Sequence, residues 1–255
     1  MMVSAELQAA LDAAEAAGRI ARSLYQRNLG VRLKEDKSPV TEADVQCELA
    51  IREILRQRFP SHGFYGEETG SEGLDAEHLW LVDPIDGTKA FVREYPMFST
   101  QIALMRRGEL VLGVSSAPVY GELAHAEIGG GAFLNGARLR ISAIDTLEGA
   151  ALSAGNLKTL AADAARWGRY GALVKRLSRI RGYGDFLHYH LLAAGKIDAV
   201  LESDVNILDI AALCVIVREA GGVFTDLSGE PVGLATTSVL AANPRLHAPI
   251  LAALG

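Results

Sequence analysis

The chain has 255 residues, of which 49% are hydrophobic and 22% are charged, and its formal net charge is −6. This length and apolar content allow a sizeable core, in one large domain or two fused halves, and exclude a disordered chain. The acidic balance argues against a nucleic-acid partner, because such binders usually present a basic surface. An anionic substrate must therefore meet local positive charge from basic side chains, helix N-termini or bound divalent cations.

Nothing in the sequence predicts a membrane span or a disulfide framework. The longest purely apolar run near Cys214 covers residues 210–217, which is far short of the ~20 residues that cross a bilayer. Cys47 and Cys214 lie in apolar helical patterns, so we expect buried, reduced thiols. The acidic N-terminal segment lacks a signal or transit pattern, and we therefore expect a cytoplasmic protein.

The first sixty residues predict two helices. Apolar residues recur at three- and four-residue spacing over residues 4–28, and Gly30 is expected to end this amphipathic helix. Thr41 is placed to cap a second helix, which Pro60 closes. Short apolar runs then predict a mostly antiparallel sheet. Its strands are expected at residues 79–82, 100–105, 110–115 and 123–128.

A hairpin is expected to continue the sheet. Asn135-Gly136 adopts positive φ at low cost and separates apolar residues 131–134 from residues 139–141. The pattern then changes to alternating helices and strands, which is typical of an α/β arrangement. Helices are predicted at residues 158–178, 186–194 and 207–220, and strands at residues 199–201, 222–224 and 239–241. A boundary near Ser142 gives an α+β half at residues 1–142 and an α/β half at residues 143–255.

Two carboxylates follow the strand predicted at residues 79–82. Asp83 and Asp86 belong to the run DPIDGT, in which Pro84 fixes its own φ and Gly87 allows a sharp turn or a close ligand. Such a pair of acids repels itself unless a cation or proton intervenes, and oxygen-rich clusters suit Mg²⁺. Taken alone, the run also fits an ordinary polar turn.

Two further acidic positions make the pattern more specific. Glu67 follows the apolar residues 63–65 at another predicted strand end, and Asp209 precedes the apolar run 210–217. Asp209 by itself also fits an acid that the helix dipole favours at a helix start. The combination with the DPIDGT run, however, favours a metal site.

In this combination the sequence resembles the inositol monophosphatase superfamily of metal-dependent phosphatases over nearly its whole length. The matching segments are residues 34–44 (KEDKSPVTEAD), 66–68 (GEE), 80–88 (WLVDPIDGT), 209–212 (DIAA) and 219–222 (EAGG), in the family's order. Leu208 departs from the pattern, because the family usually has Trp there. The resemblance implies a layered α-β-α-β-α sandwich, a homodimer and inhibition by lithium.

The resemblance also implies the ligands of two or three Mg²⁺ ions. Glu67, Asp83 and the carbonyl of Ile85 would hold the first ion, and Asp83, Asp86 and Asp209 the second. Glu67 would also serve a third. Divalent ions lower the pKa of bound water and neutralise a leaving alkoxide, so this set implies a phosphomonoesterase without a covalent intermediate.

The same resemblance assigns the water and phosphate contacts. Thr88 and Asp44 would orient the nucleophilic water. The amides of Gly87 and Thr88 would face the phosphate oxygens at the start of a short helix.

The residues expected beside the leaving group favour L-histidinol phosphate. The run RGYGD at residues 181–185 is similar to the histidinol-phosphate phosphatases of the superfamily, as is the run FVR at residues 91–93. Gly184, Asp185 and Glu202 are therefore predicted to bind substrate, because their two carboxylates suit an ammonium group or a protonated imidazole. Asp185 also fits a cap for the helix predicted from residue 186.

Other functions stay open at the level of sequence. The main alternative is an inositol-1-phosphate phosphatase or a broad-specificity monophosphatase. A 3′,5′-bisphosphate nucleotidase would need a basic cradle that the sequence does not place, and a noncatalytic metal- and phosphate-binding regulator would be expected to have lost some of the acids. No nucleic-acid or membrane partner is expected. His188 and His190 are two apart in a predicted helix, which favours packing or interface contacts over a zinc pair.

Overall fold

The computed structural model describes residues 3–27, 32–33 and 39–255. The helices are α1 (Ala5–Leu24), α2 (Glu42–Arg58), α3 (Thr88–Val92), α4 (Lys158–Ala162), α5 (Ala164–Val174), α6 (Asp185–Ala193), α7 (Ile207–Glu219) and α8 (Pro244–Leu254), with a 3-10 turn at Leu147–Gly149. The strands are β1 (Arg32–Leu33), β2 (Pro39–Val40), β3 (Gly63–Gly66), β4 (Ser71–Glu72), β5 (His78–Asp86), β6 (Ser99–Arg106), β7 (Glu109–Ala117), β8 (Glu122–Glu127), β9 (Gly131–Leu134), β10 (Ala137–Arg138), β11 (Ala151–Gly155), β12 (Arg179–Arg181), β13 (Ala199–Glu202), β14 (Val223–Thr225) and β15 (Val239–Ala242).

The described residues form two large sheets and three layers of helices. The first sheet has eight strands in the order β10-β9-β8-β7-β6-β5-β3-β4, and the second has five in the order β12-β11-β13-β15-β14. Helices α1 and α2 cover the outer face of the first sheet, α6 and α7 lie between the sheets, and α5 and α8 cover the second sheet. This confirms the α-β-α-β-α sandwich expected from the sequence.

Local capping explains where the outer helices begin. The side chain of Ser4 accepts a hydrogen bond from the amide of Leu7 and caps α1, which ends at Leu24 rather than near residue 28. Thr41 caps α2 as predicted, and Asp44 completes a capping box with it. Gly30 and residues 34–38, which include most of the loop compared with the family's mobile loop, lie outside the described residues.

The central helix α7 is buried because it is apolar on nearly all sides. It packs against strands β5 to β9 of the first sheet and against β14 of the second. Gly113 of β7 is required at this interface, since a Cβ there would collide with the backbone of Ala212. The position of α7 holds its first turn at the edge where β5 ends.

Most of the predicted elements are found, but one predicted helix is divided, one predicted strand is displaced, and one helix was not predicted. The first sheet is antiparallel except for the β3–β5 pair, as expected. The helix predicted at residues 158–178 is wrong as one element, because Asp163 breaks it and caps α5 through the amides of Ala165 and Arg166. Asn135-Gly136 forms the predicted two-residue hairpin, but its second strand is β10 rather than residues 139–141. Helix α8 has no counterpart in the sequence analysis.

The strands of the first sheet lie between residues 63 and 138, and those of the second between residues 151 and 242. The division into halves at residue 142 stays a prediction. Cys47 and Cys214 are free and buried, as expected. Within the part of the chain that the structure describes, none of the helices has the length and apolar character that a membrane crossing requires.

Candidate active site

An irregular strand end brings Asp83 and Asp86 to one place. In β5 the register against β6 shifts between these residues, so that Asp83 pairs with Gln101 and Asp86 with Ser99. Three steps along β5 therefore match two steps along β6, as in a β-bulge. In a regular strand residues three apart point to opposite faces. The bulge removes that alternation and lets the two carboxylates converge.

Asp209 reaches the same point from the first turn of α7. One oxygen each of Asp83, Asp86 and Asp209 lie within 4.8 Å of one another. The amide and side chain of Asn206 donate hydrogen bonds of 2.9 and 2.8 Å to the two oxygens of Asp209. Asp209 is therefore both an acid at a helix start and a member of the acidic cluster, so the two interpretations of its position in the sequence are compatible.

Glu67 completes the acidic group from the end of β3. Its amide donates to the carbonyl of Val82 at 3.2 Å, which fixes the loop after β3 against β5. Its carboxyl group is close enough to Asp83 to raise the pKa of that residue by its charge and by a hydrogen bond. The structure thus brings together all four carboxylates that were predicted to hold metal.

The pKa values of the clustered carboxyl groups are raised, which favours the binding of a cation among them. Burial raises the pKa of Asp83 well above its usual range, and the charges of Glu67, Asp86 and Asp209 raise it further. Burial also raises the pKa of Asp86 well above its usual range, with added effects of Asp185 and Asp209. For Asp209 burial raises the pKa to about 7. An all-oxygen donor set with this mutual repulsion fits a hard divalent cation such as Mg²⁺.

Thr88 and Asp44 are paired, as predicted. The hydroxyl of Thr88 lies 3.0 Å from Asp44 Oδ1 and 3.0 Å from the carbonyl oxygen of Ile85. Asp44 is 1% exposed, and its other oxygen accepts from the amide and hydroxyl of Thr41. Burial raises the pKa of Asp44, although the hydrogen bonds of Thr41 and Thr88 lower it in part. The capping box of α2 therefore fixes the carboxylate that meets Thr88.

Gly87 is the N-cap of α3 and has a left-handed backbone with φ of 90°. A Cβ at this position would lie 2.5 Å from the carbonyl oxygen of Met97, so only glycine fits without movement. The first amides of α3 have no partner within the helix, as at any helix start. Gly87 and Thr88 lie directly beside the carboxylate cluster, where the sequence placed a phosphate contact.

Asp185 lies near the acidic group, since its charge acts on Asp86. Gly184, with φ of 74°, is the N-cap of α6, and Asp185 is the first helical residue, with φ of 45°. The alternative in which Asp185 caps a helix from residue 186 is therefore wrong, because Gly184 holds that position. Burial raises the pKa of Asp185 to about 6, the charge of Glu202 adds to this effect, and His188 opposes it.

Glu202 ends β13 and is 2% exposed. The hydroxyl of Tyr189 donates to its Oε2 at 2.6 Å, and Asn156 Nδ2 donates to Oε1 at 3.3 Å. His188 Nε2 lies 3.2 Å from Oε2. Gly155 leaves room for this carboxylate, since a Cβ there would lie 2.6 Å from Oε1. Glu202 is thus a buried carboxyl group whose charge acts on Asp185, and its contact with substrate stays a prediction.

His188 and His190 point to different sheets. His188 faces Ser153 of β11 and Glu202 of β13, whereas His190 faces Ser115 of β7 and Glu122 of β8. The two side chains are therefore packing residues on opposite sides of α6, as the sequence favoured, and they do not form a zinc pair.

Residues 3–255 match the model of the inositol monophosphatase family. The chain belongs to this family. A histidinol-phosphatase of Mycobacterium tuberculosis (strain ATCC 25618 / H37Rv) is 39% identical over 252 residues, 96% of this chain and 96% of the relative. An inositol-1-monophosphatase of Rhizobium meliloti (strain 1021) is 38% identical over 255 residues, 96% of this chain and 94% of the relative. The extragenic suppressor protein suhB from Bartonella henselae has a TM-score of 0.90 at 34% identity, covering 98% of each chain.

Membership of the inositol monophosphatase family makes the chain a phosphoric monoester hydrolase that acts on small phosphate monoesters. This chain departs from the family pattern at Leu208. The side chain of Leu208 is 4% exposed and belongs to the apolar cluster between the two sheets. Leu208 follows the cap of α7 and contributes its amide to the side chain of Asn206 at 2.7 Å.

The sequence analysis missed one residue that supports the acidic cluster. Glu48 of α2 is fully buried and accepts from the amides of Glu68 and Thr69 at 2.8 and 2.6 Å. These contacts hold the loop that carries Glu67. The feature of the sequence that could have indicated Glu48 is its position four residues after Asp44, which places both acids on the same face of a helix. Its partners are twenty residues away, which no local pattern shows.

Proposed function

We propose that the protein hydrolyses L-histidinol phosphate to L-histidinol and inorganic phosphate, with Mg²⁺ as its resident cofactor. The observation that carries this proposal is the half-buried carboxylate of Asp185, whose charge acts on Asp86 of the acidic cluster. An anion beside the metal ligands suits a substrate whose leaving group bears an ammonium. The names of three relatives, histidinol-phosphatases at 34 to 39% identity, support the same substrate.

The proposed metal ligands are the four carboxylates and one carbonyl. Glu67, Asp83 and the carbonyl of Ile85 would hold one ion, Asp83, Asp86 and Asp209 a second, and Glu67 a third. Bound there, Mg²⁺ would lower the pKa of water and neutralise charge on the phosphate and on the leaving alkoxide. The repulsion among the acids supports this assignment, because each raised pKa is relieved by a cation.

Thr88 and Asp44 are proposed to orient the water that attacks phosphorus. The Thr88 hydroxyl has one hydrogen, which it would give to Asp44 if the carbonyl of Ile85 served as a metal ligand. The lone pairs of Thr88 then accept a hydrogen bond from the water. Burial raises the pKa of Asp44, which suits a carboxylate that takes up a proton through Thr88.

The phosphate and the amino alcohol would bind on two sides of the acidic cluster. The amides of Gly87 and Thr88 are proposed to donate to phosphate oxygens, and Gly87 is required there because a side chain would collide with Met97. Asp185 would bind the ammonium or a protonated imidazole, and Gly184 keeps the approach to it open. The charge of Glu202 acts on Asp185, and Glu202 is proposed as a further contact of the leaving group.

An inositol-1-phosphate phosphatase is the second candidate. The 38% identity with an inositol-1-monophosphatase supports it. A neutral polyol, however, offers no cation to Asp185, so this carboxylate would remain without a charged partner. We further propose a cytoplasmic homodimer that lithium inhibits, as the family resemblance implies; sedimentation at two protein concentrations tests the dimer.

The test of the proposed function is a comparison of specificity constants. Phosphate release is measured with L-histidinol phosphate, inositol 1-phosphate and an adenosine 3′,5′-bisphosphate, each with Mg²⁺ and with a chelator. We expect kcat/KM to be highest for histidinol phosphate by at least about tenfold, which corresponds to one charge-assisted contact. Equal constants for the first two substrates would contradict the substrate assignment, and release that the chelator does not stop would contradict the metal assignment.

A further inference from the structure

A line of buried polar groups leads from Asp86 into the interior of the molecule. Ser99 Oγ lies 3.3 Å from Asp86 Oδ2, and Gln101 Nε2 lies 2.8 Å from Ser99 Oγ. The same amide nitrogen lies 3.1 Å from Ser115 Oγ on the neighbouring strand β7. Ser99, Gln101 and Ser115 are each at most 1% exposed. The line therefore crosses β6 and β7 without contact with solvent.

The line of polar groups continues to His190 of helix α6. His190 Nε2 lies 2.9 Å from Ser115 Oγ, and His190 Nδ1 lies 2.8 Å from Glu122 Oε2 on β8. The His190 contact lowers the pKa of Glu122, which favours an ionised carboxylate there. The same helix begins with Asp185, so the line joins the strand that carries Asp86 to the helix that carries the proposed substrate anchor.

One set of hydrogen positions satisfies every donor on this line. Gln101 Nε2 has two hydrogens and gives one to Ser99 and one to Ser115. Each serine oxygen accepts from Gln101, so its own hydrogen is free to go onward, from Ser99 to Asp86 and from Ser115 to His190 Nε2. His190 then donates through Nδ1 to Glu122. A flipped amide would accept from both hydroxyls and remove the hydrogen bond that Ser99 gives to Asp86.

Stability alone does not account for an amide at residue 101. Gln101 Oε1 is buried and has no hydrogen-bond partner among the described residues. A buried acceptor left unpaired costs free energy, and an apolar side chain of the same size would avoid that cost. The position therefore retains a costly group whose two hydrogens aim the hydroxyls of Ser99 and Ser115.

We infer that Ser99, Gln101, Ser115 and His190 form a positioning network that fixes the carboxylate of Asp86 for metal binding. The need for it follows from the bulge in β5, where the regular ladder no longer sets the direction of that side chain. The inference rests on the proposed function in one respect, the role of Asp86 as a metal ligand. The four residues are positioning residues, which act through Asp86.

The test uses adjacent serines of β7 as a matched pair. Ser115→Ala removes a hydroxyl from the network. Ser116→Ala removes one from the opposite face, where Ser116 Oγ is directed toward Gly18 of α1. Binding of Mn²⁺ to the substrate-free enzyme is measured by calorimetry, and the Mg²⁺ concentration for half-maximal phosphate release is measured alongside. Ser99→Ala and Gln101→Leu extend the series, and Ser115→Thr restores a hydroxyl.

We expect Ser99→Ala to weaken Mn²⁺ binding about 10-fold or more, in the range found when a partner of a metal ligand is removed. Gln101→Leu and Ser115→Ala should weaken Mn²⁺ binding roughly 3- to 10-fold, because these residues do not contact Asp86 directly and act on it through Ser99. Ser116→Ala should leave it unchanged, and Ser115→Thr should recover most of the loss. Maximal turnover at saturating Mg²⁺ should change less than the affinity does.

The possible outcomes separate the network from the metal site itself. If the network variants lower the melting temperature but bind Mn²⁺ as Ser116→Ala does, the network is only structural and the inference is overturned. If the unaltered enzyme binds no Mn²⁺, the proposed metal site is wrong, and the inference that the network serves it is overturned as well. Since Ser115→Ala deletes a single atom, loss of folding in Gln101→Leu would still leave the comparison of Ser115 with Ser116.

Discussion

Replacement of Asp83 by Asn is expected to have opposite effects with and without Mg²⁺. Asp83 is 2% exposed, and the charges of Glu67, Asp86 and Asp209 all act on it. Without a cation its ionised form is disfavoured by burial and by its three acidic neighbours, which is why its pKa is raised. Asn keeps the shape and removes the charge, so the metal-free variant should melt at the same temperature as the unaltered enzyme or higher.

The sign of the pH dependence follows from the raised pKa. When the pKa of a carboxyl group is higher in the folded than in the unfolded state, the free energy of unfolding falls as pH rises from the unfolded pKa of ~3.9 towards the folded pKa. Asp83 therefore destabilises the metal-free protein at neutral and alkaline pH. In the presence of a chelator, the advantage of Asp83→Asn should be larger at pH 8 than at pH 5.

Addition of Mg²⁺ should reverse the order of the two proteins. At a concentration 100 times its dissociation constant, a ligand that binds only the folded state adds about 2.7 kcal/mol. For a chain of this size, that gain raises the melting temperature by roughly 5–11 °C. Asp83→Asn should lose most of this shift, and its turnover should fall by more than ~100-fold, because loss of a partner of a ligand alone costs ~10- to 100-fold.

Differential scanning calorimetry with Mg²⁺ or a chelator measures these shifts, and phosphate release measures turnover. Asp145→Asn, an exposed acid outside the cluster, is the matched control and should behave as the unaltered enzyme does. An Asp83→Asn variant that kept the full Mg²⁺-induced shift at the same half-saturating concentration would refute the assignment of Asp83 as the shared metal ligand.

Three further changes test other parts of the site. Thr88→Ala should lower kcat by ~100- to 10,000-fold and leave Mn²⁺ binding nearly unchanged, since its hydroxyl is assigned to orienting water; an unchanged kcat would remove Thr88 and Asp44 from the mechanism. Glu48→Gln should raise the half-saturating Mg²⁺ concentration ~10-fold by loosening the loop of Glu67, whereas exposed Glu53→Gln on the same helix should not. The kcat/KM advantage of the unaltered enzyme over Asp185→Asn with histidinol phosphate should shrink as pH falls through about 6, where Asp185 takes up its proton; an advantage constant from pH 5 to 8 would show that this charge is not used.

The acidic cluster could be predicted from the sequence because its acids lie near a predicted strand end or at the start of a predicted helix. Asp83 and Glu67 follow apolar runs, and Asp209 precedes one, so the resemblance had local features to rest on. What the sequence did not show was how residues three apart on β5 converge. That depends on a register shift against β6, which is a property of two strands together.

The missed elements have physical causes as well. Asp163 interrupts the helix predicted at residues 158–178, because its carboxylate competes for the amides that start α5. Helix α8 begins with Asn243 and Pro244, a cap and a first-turn proline that signal a helix start and were overlooked. The roles of Glu48 and Gln101 depend on partners in other elements and could only come from the structure.

The most direct measurement is the ratio of kcat/KM for L-histidinol phosphate to kcat/KM for inositol 1-phosphate, in the unaltered enzyme and in Asp185→Asn. Asn suits this position because it tolerates the left-handed backbone of residue 185 and removes only the charge. A charge-assisted contact is worth roughly 1.5 to 3 kcal/mol, so the ratio should fall by about one to two orders of magnitude. A ratio that the substitution leaves unchanged would contradict the assignment of Asp185 as the anchor of a cationic substrate and, with it, the preference for histidinol phosphate.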